Sequence, residues 1–227
     1  MNFHLSPALD LFDLEHHNLK TLIIESEVLR TNPWSDTSVR RLPVLEPKIS
    51  SQHPLPVVLI LSGFTSNASK AVAWRPFESN FLETIEWGFA HQKAPRALYV
   101  FVDAWTFWGG SQFLNSVGMG AYEDHVIHEI VPTLKSQWSC STQPEQWCLH
   151  GSSSGGYGAL HLASRFPEQF GVVSALAPDS YFTASLLPEI FQALPKIQKM
   201  GGIASVAQEL RSGRLAKRKG FHTLVNA

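Results

Sequence analysis

The stretch Cys148-Leu149-His150-Gly151-Ser152-Ser153-Ser154-Gly155-Gly156-Tyr157-Gly158-Ala159-Leu160 decides how the rest of the chain is read. It sets Gly151-x-Ser153-x-Gly155 between an apolar run and a helical pattern, the arrangement that presents a nucleophilic serine on a sharp strand-to-helix turn. The serine backbone on such a turn is strained, and the residues two before and two after it are pressed together, which favours glycine at 151 and 155. The helix opens at Ser154, so its free N–H groups and positive dipole end point to where an acyl oxyanion would form. An ordinary glycine-serine turn is the competing reading. Strand and helix signals on the correct sides favour the elbow.

Working outward, Trp147 to His150 is the strand entering the elbow, and Gly156 to Phe166 is its helix, stopped by Pro167. Val172 to Ala177 is a further strand, ended by Pro178. Upstream, Val57 to Leu61 and Ala97 to Val102 are continuous apolar runs of the kind covered on both sheet faces. Phe77, Phe81, Leu82 and Ile85 recur at helical spacing between them, as do Tyr122, Val126, Ile127, Ile130 and Leu134 after them, with Glu123, Asp124, His128 and Glu129 at intervening polar positions. Leu22 to Leu29 and Val39 to Leu45 read as opening strands of an antiparallel edge, joined by a turn at 31–36. Strands alternating with helices specify an α/β class: a mostly parallel central sheet with helices on both faces and a ligand crevice at the carboxyl ends of the strands. Ser62-Gly63-Phe64, Asp103, Ser153 and Asp179 fall at or just past such ends.

Composition excludes several function classes. A chain of 227 residues that is 44% apolar and 16% charged can form a globular core, and a net charge of -1 gives no general footing for nucleic acid. The one basic concentration, Arg211, Arg214, Lys217, Arg218 and Lys219, reads as a solvated helix face. No apolar stretch reaches the roughly 18 residues that span a bilayer. The first twenty residues lack a secretory pattern, so the expectation is a cytoplasmic protein with no membrane partner. Cys140 and Cys148 have no metal-ligand spacing and are expected as free thiols. His125 and His128 are three apart beside Glu129, a spacing compatible with two metal ligands, but no third ligand is signalled; an amphipathic helix surface explains them, and no metal site is expected.

Leu59 to Phe64, the Asp103 loop, Gly120-Ala121-Tyr122-Glu123-Asp124 opening a helix that reaches Ile130-Val131-Pro132, and Gly151 to Leu160 followed by Arg165-Phe166-Pro167 together resemble the "putative esterase" family of the α/β-hydrolase fold. That family includes esterase D (S-formylglutathione hydrolase), enterochelin esterase-like enzymes and mycolyltransferases. The resemblance spans roughly residues 20 to 180. It implies Ser153 as nucleophile, the Ser154 N–H as one oxyanion donor and the Phe64 N–H as the second. Many relatives carry histidine before the loop glycine, where this chain has Ser62.

A serine nucleophile needs a histidine to take its proton and a carboxylate to orient that histidine, in chain order serine, acid, histidine. The 50 residues after Ala177 read as a helix from about Leu186 to Leu194, broken by Pro195, and a second from about Ile203 to Leu210, with no apolar strand to carry the acid. Asp179 and His222 satisfy the order formally, although Asp179 after Pro178 also suits a turn cap. The preferred expectation is one incomplete domain over 1–227 that lacks its last strands, with acid and base in a further C-terminal segment. Such a chain would expose an unpaired sheet edge and tend to form a homo-oligomer. His150 is expected to pack beside the sheet and His161 to lie within the elbow helix; neither is on a late loop. The aromatics of Trp105 to Phe113 would line an acyl or alcohol pocket or pack beneath a lid.

The function expected is a serine esterase that hydrolyses a small carboxylic ester or thioester through an acyl-enzyme, without metal or organic cofactor. The alternatives are an acyltransferase using the same intermediate and a noncatalytic hydrolase-fold binding protein without a complete triad.

Overall fold

The computed structural model describes residues 2–7, 14–48, 52–74 and 76–213. The chain divides into two compact units, Met1–Pro178 and Asp179–Ala227.

Among the described residues the main sheet of the first unit has seven strands: β1 Asn2–Pro7, β2 His17–Glu25, β3 Val39–Pro47, β4 Val57–Leu61, β5 Leu98–Val102, β6 Trp147–Ser152 and β7 Val172–Leu176. Their order in the sheet is β1-β2-β3-β5-β4-β6-β7. The β5-β4-β6-β7 block is parallel throughout, and the three opening strands pair antiparallel with one another and with β5. Only β1 and β3 run against the other five, so the sheet is mostly parallel, as the alternation of elements predicts.

Helices α1 Ala68–Ala71 and α2 Phe81–Ala90 lie on one face, where Ala68, Leu82 and Ile85 join Leu45, Ile60 and Phe101 in a buried cluster. A capping box starts α2: Asn80 Oδ1 accepts from the Glu83 N–H at 3.0 Å, and Glu83 Oε2 accepts from the Asn80 N–H at 2.7 Å. Phe77 does not belong to this helix. It precedes the Asn80 cap, has φ +63° and is fully exposed, because the capping box fixes the start three residues later.

The opposite face packs on α3, residues 122–137, and α4 Ser154–Arg165, whose Val126, Ile130, Leu134, Ala159 and Leu162 cover Leu59, Val100 and Leu149. The α3 helix is regular over Tyr122–Asp124 and Val131–Gln137 but π-helical over His125–Ile130. The widened turn directly precedes Pro132, which has no N–H to give the His128 carbonyl and whose ring crowds it. This changes the faces expected from a 3.6-residue period. His125, read as part of a helix surface, is completely buried, and Glu123 and Glu129 are buried with it, while His128 stays exposed.

Two further boundaries differ from expectation. Strand β2 ends at Glu25, because the Ser26 N–H turns to the Ser38 carbonyl and Ser26 Oγ takes the Leu29 N–H, so residues 26–29 close a turn. In the second unit, α5 Leu186–Lys199 runs through Pro195 and is followed by α6 Ile203–Arg211. Pro195 removes one backbone bond, yet the helix continues through it with Ala193 buried, where proline alone predicts a break.

Candidate active site

The elbow is built as its glycines require. Ser153 sits at φ +55° and ψ -123°, between the end of β6 and the first turn of α4. Its N–H donates to the Leu176 carbonyl of β7 at 3.0 Å, and its carbonyl accepts from the Tyr157 N–H at 3.0 Å. A Cβ on Gly151 would lie 2.3 Å from the Gly155 carbonyl oxygen, and one on Gly155 would lie 2.1 Å from the Leu61 carbonyl oxygen. No side chain fits at either position, so the chain turns there only with glycine. An ordinary turn would not need both contacts.

The loop after β4 runs directly past this serine. A Cβ on Gly63 would stand 3.2 Å from the Ser152 carbonyl oxygen and 3.5 Å from the Ser153 Cβ. Beyond it, the Thr65 N–H donates to the Gly109 carbonyl at 2.8 Å and the Ser66 N–H to the Gly63 carbonyl at 3.1 Å. Ser154, first in α4, has no carbonyl four residues back within the helix to receive its N–H. Ser62, Gly63, Trp105, Gly110, Phe113 and Ser154 all line one small cleft.

A third segment, residues 103–113, completes the surroundings. Thr106 staples it: Oγ1 donates to the Gly110 carbonyl at 2.8 Å and accepts from the Trp108 and Gly110 N–H groups at 3.2 and 3.1 Å. The Phe64 ring packs on Gly109 and Gly110, and the buried Phe113 ring lies where a Cβ on Gly158 of α4 would be. Thr65, Gln112, Phe113, Ser153 and Ala177 are five of the eight non-glycine residues with positive φ among those described. Backbone strain is thus concentrated around the serine, as at sites that hold reacting groups in place.

The histidines of this half are engaged elsewhere. His150 stacks on Phe81 and contacts Ser174 Oγ through Nδ1 at 3.0 Å, and burial holds its pKa below the ordinary value. His161 Nε2 meets Glu123 Oε2 at 2.5 Å, and Arg165 Nε reaches the same oxygen at 3.0 Å. His125 Nδ1 lies 2.7 Å from Glu129 Oε2, and burial holds the imidazole pKa below the ordinary value despite that carboxylate. Among the described residues no group of three or more His, Cys, Asp or Glu side chains could hold a metal ion. Both cysteines are free thiols, and burial pushes Cys140 up to about 11 and Cys148 upward as well. Asp179 opens the second unit, and His222 lies outside the described residues, as do Arg214, Lys217, Arg218 and Lys219. Among the described residues no helix is long and apolar enough to cross a membrane.

A sequence model described as "Putative esterase" matches residues 38–209, three quarters of the chain. An S-formylglutathione hydrolase from Agrobacterium tumefaciens superposes with a TM-score of 0.59 at 18% identity, over 82% of this chain and 65% of that one. FphF, a fluorophosphonate-binding serine hydrolase of Staphylococcus aureus, gives 0.58 at 16% identity, over 74% and 60%. The ferulic acid esterase of Anaeromyces mucronatus gives 0.57 at 20%, over 77% and 62%. The uncharacterized protein YbbA of Bacillus subtilis is 21% identical over 114 residues, 45% of this chain and 46% of YbbA. The chain therefore spans about half the length of that curated relative and about three fifths of those solved structures. The fold they share with it is the α/β-hydrolase fold.

Proposed function

Because this chain belongs to the putative esterase family, we propose that it is a serine hydrolase of small carboxylic esters or thioesters, with Ser153 as nucleophile. The observation that carries this reading is the elbow itself: a non-glycine residue at positive φ, wedged between two glycines that tolerate no Cβ, at the head of a helix. Ser153 Oγ attacks the acyl carbon as its proton passes to a general base. The carbonyl oxygen becomes an oxyanion held by the Ser154 and Phe64 N–H groups. The base returns that proton to the departing alcohol or thiol as the intermediate collapses, then takes one from the water that attacks the acyl-enzyme and gives it back to Ser153 as the acid leaves. The Gly63 loop supports the second donor role, since it passes beside Ser153 and the N–H groups that follow Phe64, those of Thr65 and Ser66, are bound to the Gly109 and Gly63 carbonyls. For the base, the order Ser153, Asp179, His222 is the version that can be tested on this chain. Free thiols are consistent with a reducing compartment such as the cytoplasm.

The test is hydrolysis of p-nitrophenyl acetate by the 227-residue chain, together with adduct formation on a fluorophosphonate probe mapped by mass spectrometry. Turnover lost in Ser153→Ala, with the adduct on Ser153, is the expected result. Equal loss in His222→Ala would assign the base. Folded protein with neither turnover nor adduct would overturn the proposal in favour of a noncatalytic binding role.

A further inference from the structure

The side chain of Arg40, on β3, is 1% exposed, and its charge is not used by the chemistry proposed above. Its Nη1 donates to the Trp105 carbonyl at 2.7 Å and stands 3.7 Å from Asp103 Oδ1; its Nη2 donates to the Tyr122 hydroxyl at 2.8 Å. Nε is buried without a hydrogen-bond partner among the described residues. A buried guanidinium with one N–H unsatisfied is poor value as stabilisation, since apolar residues of similar volume often serve a core as well or better. What it does secure is the base of the 103–113 segment. Asp103 in turn accepts the Arg41 N–H at 3.1 Å through Oδ2, and Asp36 Oδ1 accepts the Phe107 N–H at 2.7 Å.

From that base the segment reaches the reacting groups by two contacts. The Gly109 carbonyl holds the Thr65 N–H, one residue past Phe64, and the Phe64 ring rests on Gly109 and Gly110. Phe113 at the far end seats against Gly158 in the elbow helix. The chain of contacts therefore runs from Arg40 through Trp105 and the Thr106 staple to Gly109, then to the loop carrying the Phe64 N–H. Oxyanion donors act through placement fixed in advance, so a small displacement of this loop weakens the transition state more than it weakens binding.

We propose that Arg40 is a positioning residue for the oxyanion loop, holding Phe64 beside Ser153 through the Trp105–Gly110 segment; this rests on the assignment of Phe64 as a donor. Lysine carries the charge but one nitrogen, so it cannot bridge the Trp105 carbonyl and the Tyr122 hydroxyl in the same fork geometry.

The experiment combines site-resolved hydrogen exchange with steady-state kinetics on Arg40→Met, Arg40→Lys and Tyr122→Phe. In Arg40→Met, the Thr65 amide should exchange about tenfold faster or more while the amides of Val57 to Leu61 keep their protection; Arg40→Lys should not restore it. Tyr122→Phe, which keeps the ring and removes the hydroxyl that accepts from Arg40 Nη2 and donates to the Trp105 carbonyl at 3.4 Å, should show the same change to a smaller degree and decides the matter if Arg40→Met does not fold. Where p-nitrophenyl acetate is turned over, kcat should fall about tenfold with KM nearly unchanged, a fraction of the loss from removing a donor outright. Unchanged Thr65 exchange in a folded Arg40 variant, or a change in KM alone, would overturn the proposal. Faster Thr65 exchange in a chain whose wild type shows neither Ser153-dependent turnover nor a fluorophosphonate adduct would uphold the mechanical link and overturn the esterase reading instead.

Discussion

Strands β5 and β7 are both five residues long and uncharged, Leu98-Tyr99-Val100-Phe101-Val102 and Val172-Val173-Ser174-Ala175-Leu176, the second apolar but for Ser174, yet every residue of β5 is buried and no residue of β7 is. Strand β5 has β3 and β4 beside it and side chains on both faces; among the described residues β7 pairs with β6 alone, at one edge of the sheet. Composition therefore specifies that a run is a strand, while position in the sheet decides whether its side chains are covered. The catalytic candidates sit where these two regimes meet, because Ser153 leaves β6 and its N–H is held by the last residue of β7.

The largest effect should come from the packed side of that junction. Gly155→Ala would place a methyl group 2.1 Å from the Leu61 carbonyl oxygen, and neither backbone can yield without separating α4 from β4. We expect a loss of about 3 kcal/mol or more, or failure to fold, read by urea denaturation. A matched pair of leucines then measures the contrast directly. Leu98→Ala, at 0% exposure, should cost about 2–5 kcal/mol, whereas Leu176→Ala, at 55% exposure, should stay within about 0.5 kcal/mol. Similar costs for the two would mean that β7 is covered in solution and the comparison fails.

Acid should weaken the covered half first, through His125 and Glu129. Burial holds the His125 pKa below the ordinary 6.5, so the folded state keeps it neutral while the unfolded chain takes up a proton. Its contribution is complete above pH 6.5 and declines as pH falls below that. Burial alone would push the Glu129 carboxyl upward, but hydrogen bonds from His125, Ser26 and the Val28 N–H outweigh it and hold the pKa at about 2. That contribution is present above the ordinary 4.5 and is lost as pH falls from there toward about 2. The melting temperature should therefore drop in two stages on acidification. His125→Gln should flatten the first stage and, because the Glu129 carboxylate loses its His125 partner, also weaken the second; a wild-type curve level from pH 7 to 5 would count against a lowered His125 pKa.

The contrast also explains what the sequence made legible. The elbow could be read because its constraint is local: glycines two residues either side of a serine, with an apolar run before and a helical pattern after. Strands β4 and β5 were legible because burial on both faces leaves an uninterrupted apolar run. Arg40 was not, since β3 alternation places it inward and only partners more than sixty residues away, Trp105 and Tyr122, make that tolerable. The burial of His125 and Glu129 was hidden for a different reason: a π-helical segment changes the period on which the face assignment depends. Strand β1 gave little signal, as Asn2-Phe3-His4-Leu5-Ser6-Pro7 is short and only weakly alternating.

The smallest effect on stability should accompany a visible change in association. Strand β7 carries no charge and no proline, the devices that keep sheet edges from pairing, and Val172, Val173 and Leu176 are 41%, 38% and 55% exposed. The opposite edge strand, β1, ends in Pro7, which cannot donate to a further ladder. If the β7 edge is open in solution, two copies can add strand to strand there, and sedimentation should show association that rises with concentration. Leu176→Lys should reduce it and change the unfolding free energy by no more than about 0.5 kcal/mol, because the substituted side chain is mostly in water. Lysine at Phe3 of β1 should leave association unchanged, which separates an effect of the edge from one of net charge. A wild-type chain that sediments as a single monomeric species at all concentrations would show that β7 is not an open edge, and the equal-cost result for Leu98 and Leu176 would then be the expected companion finding.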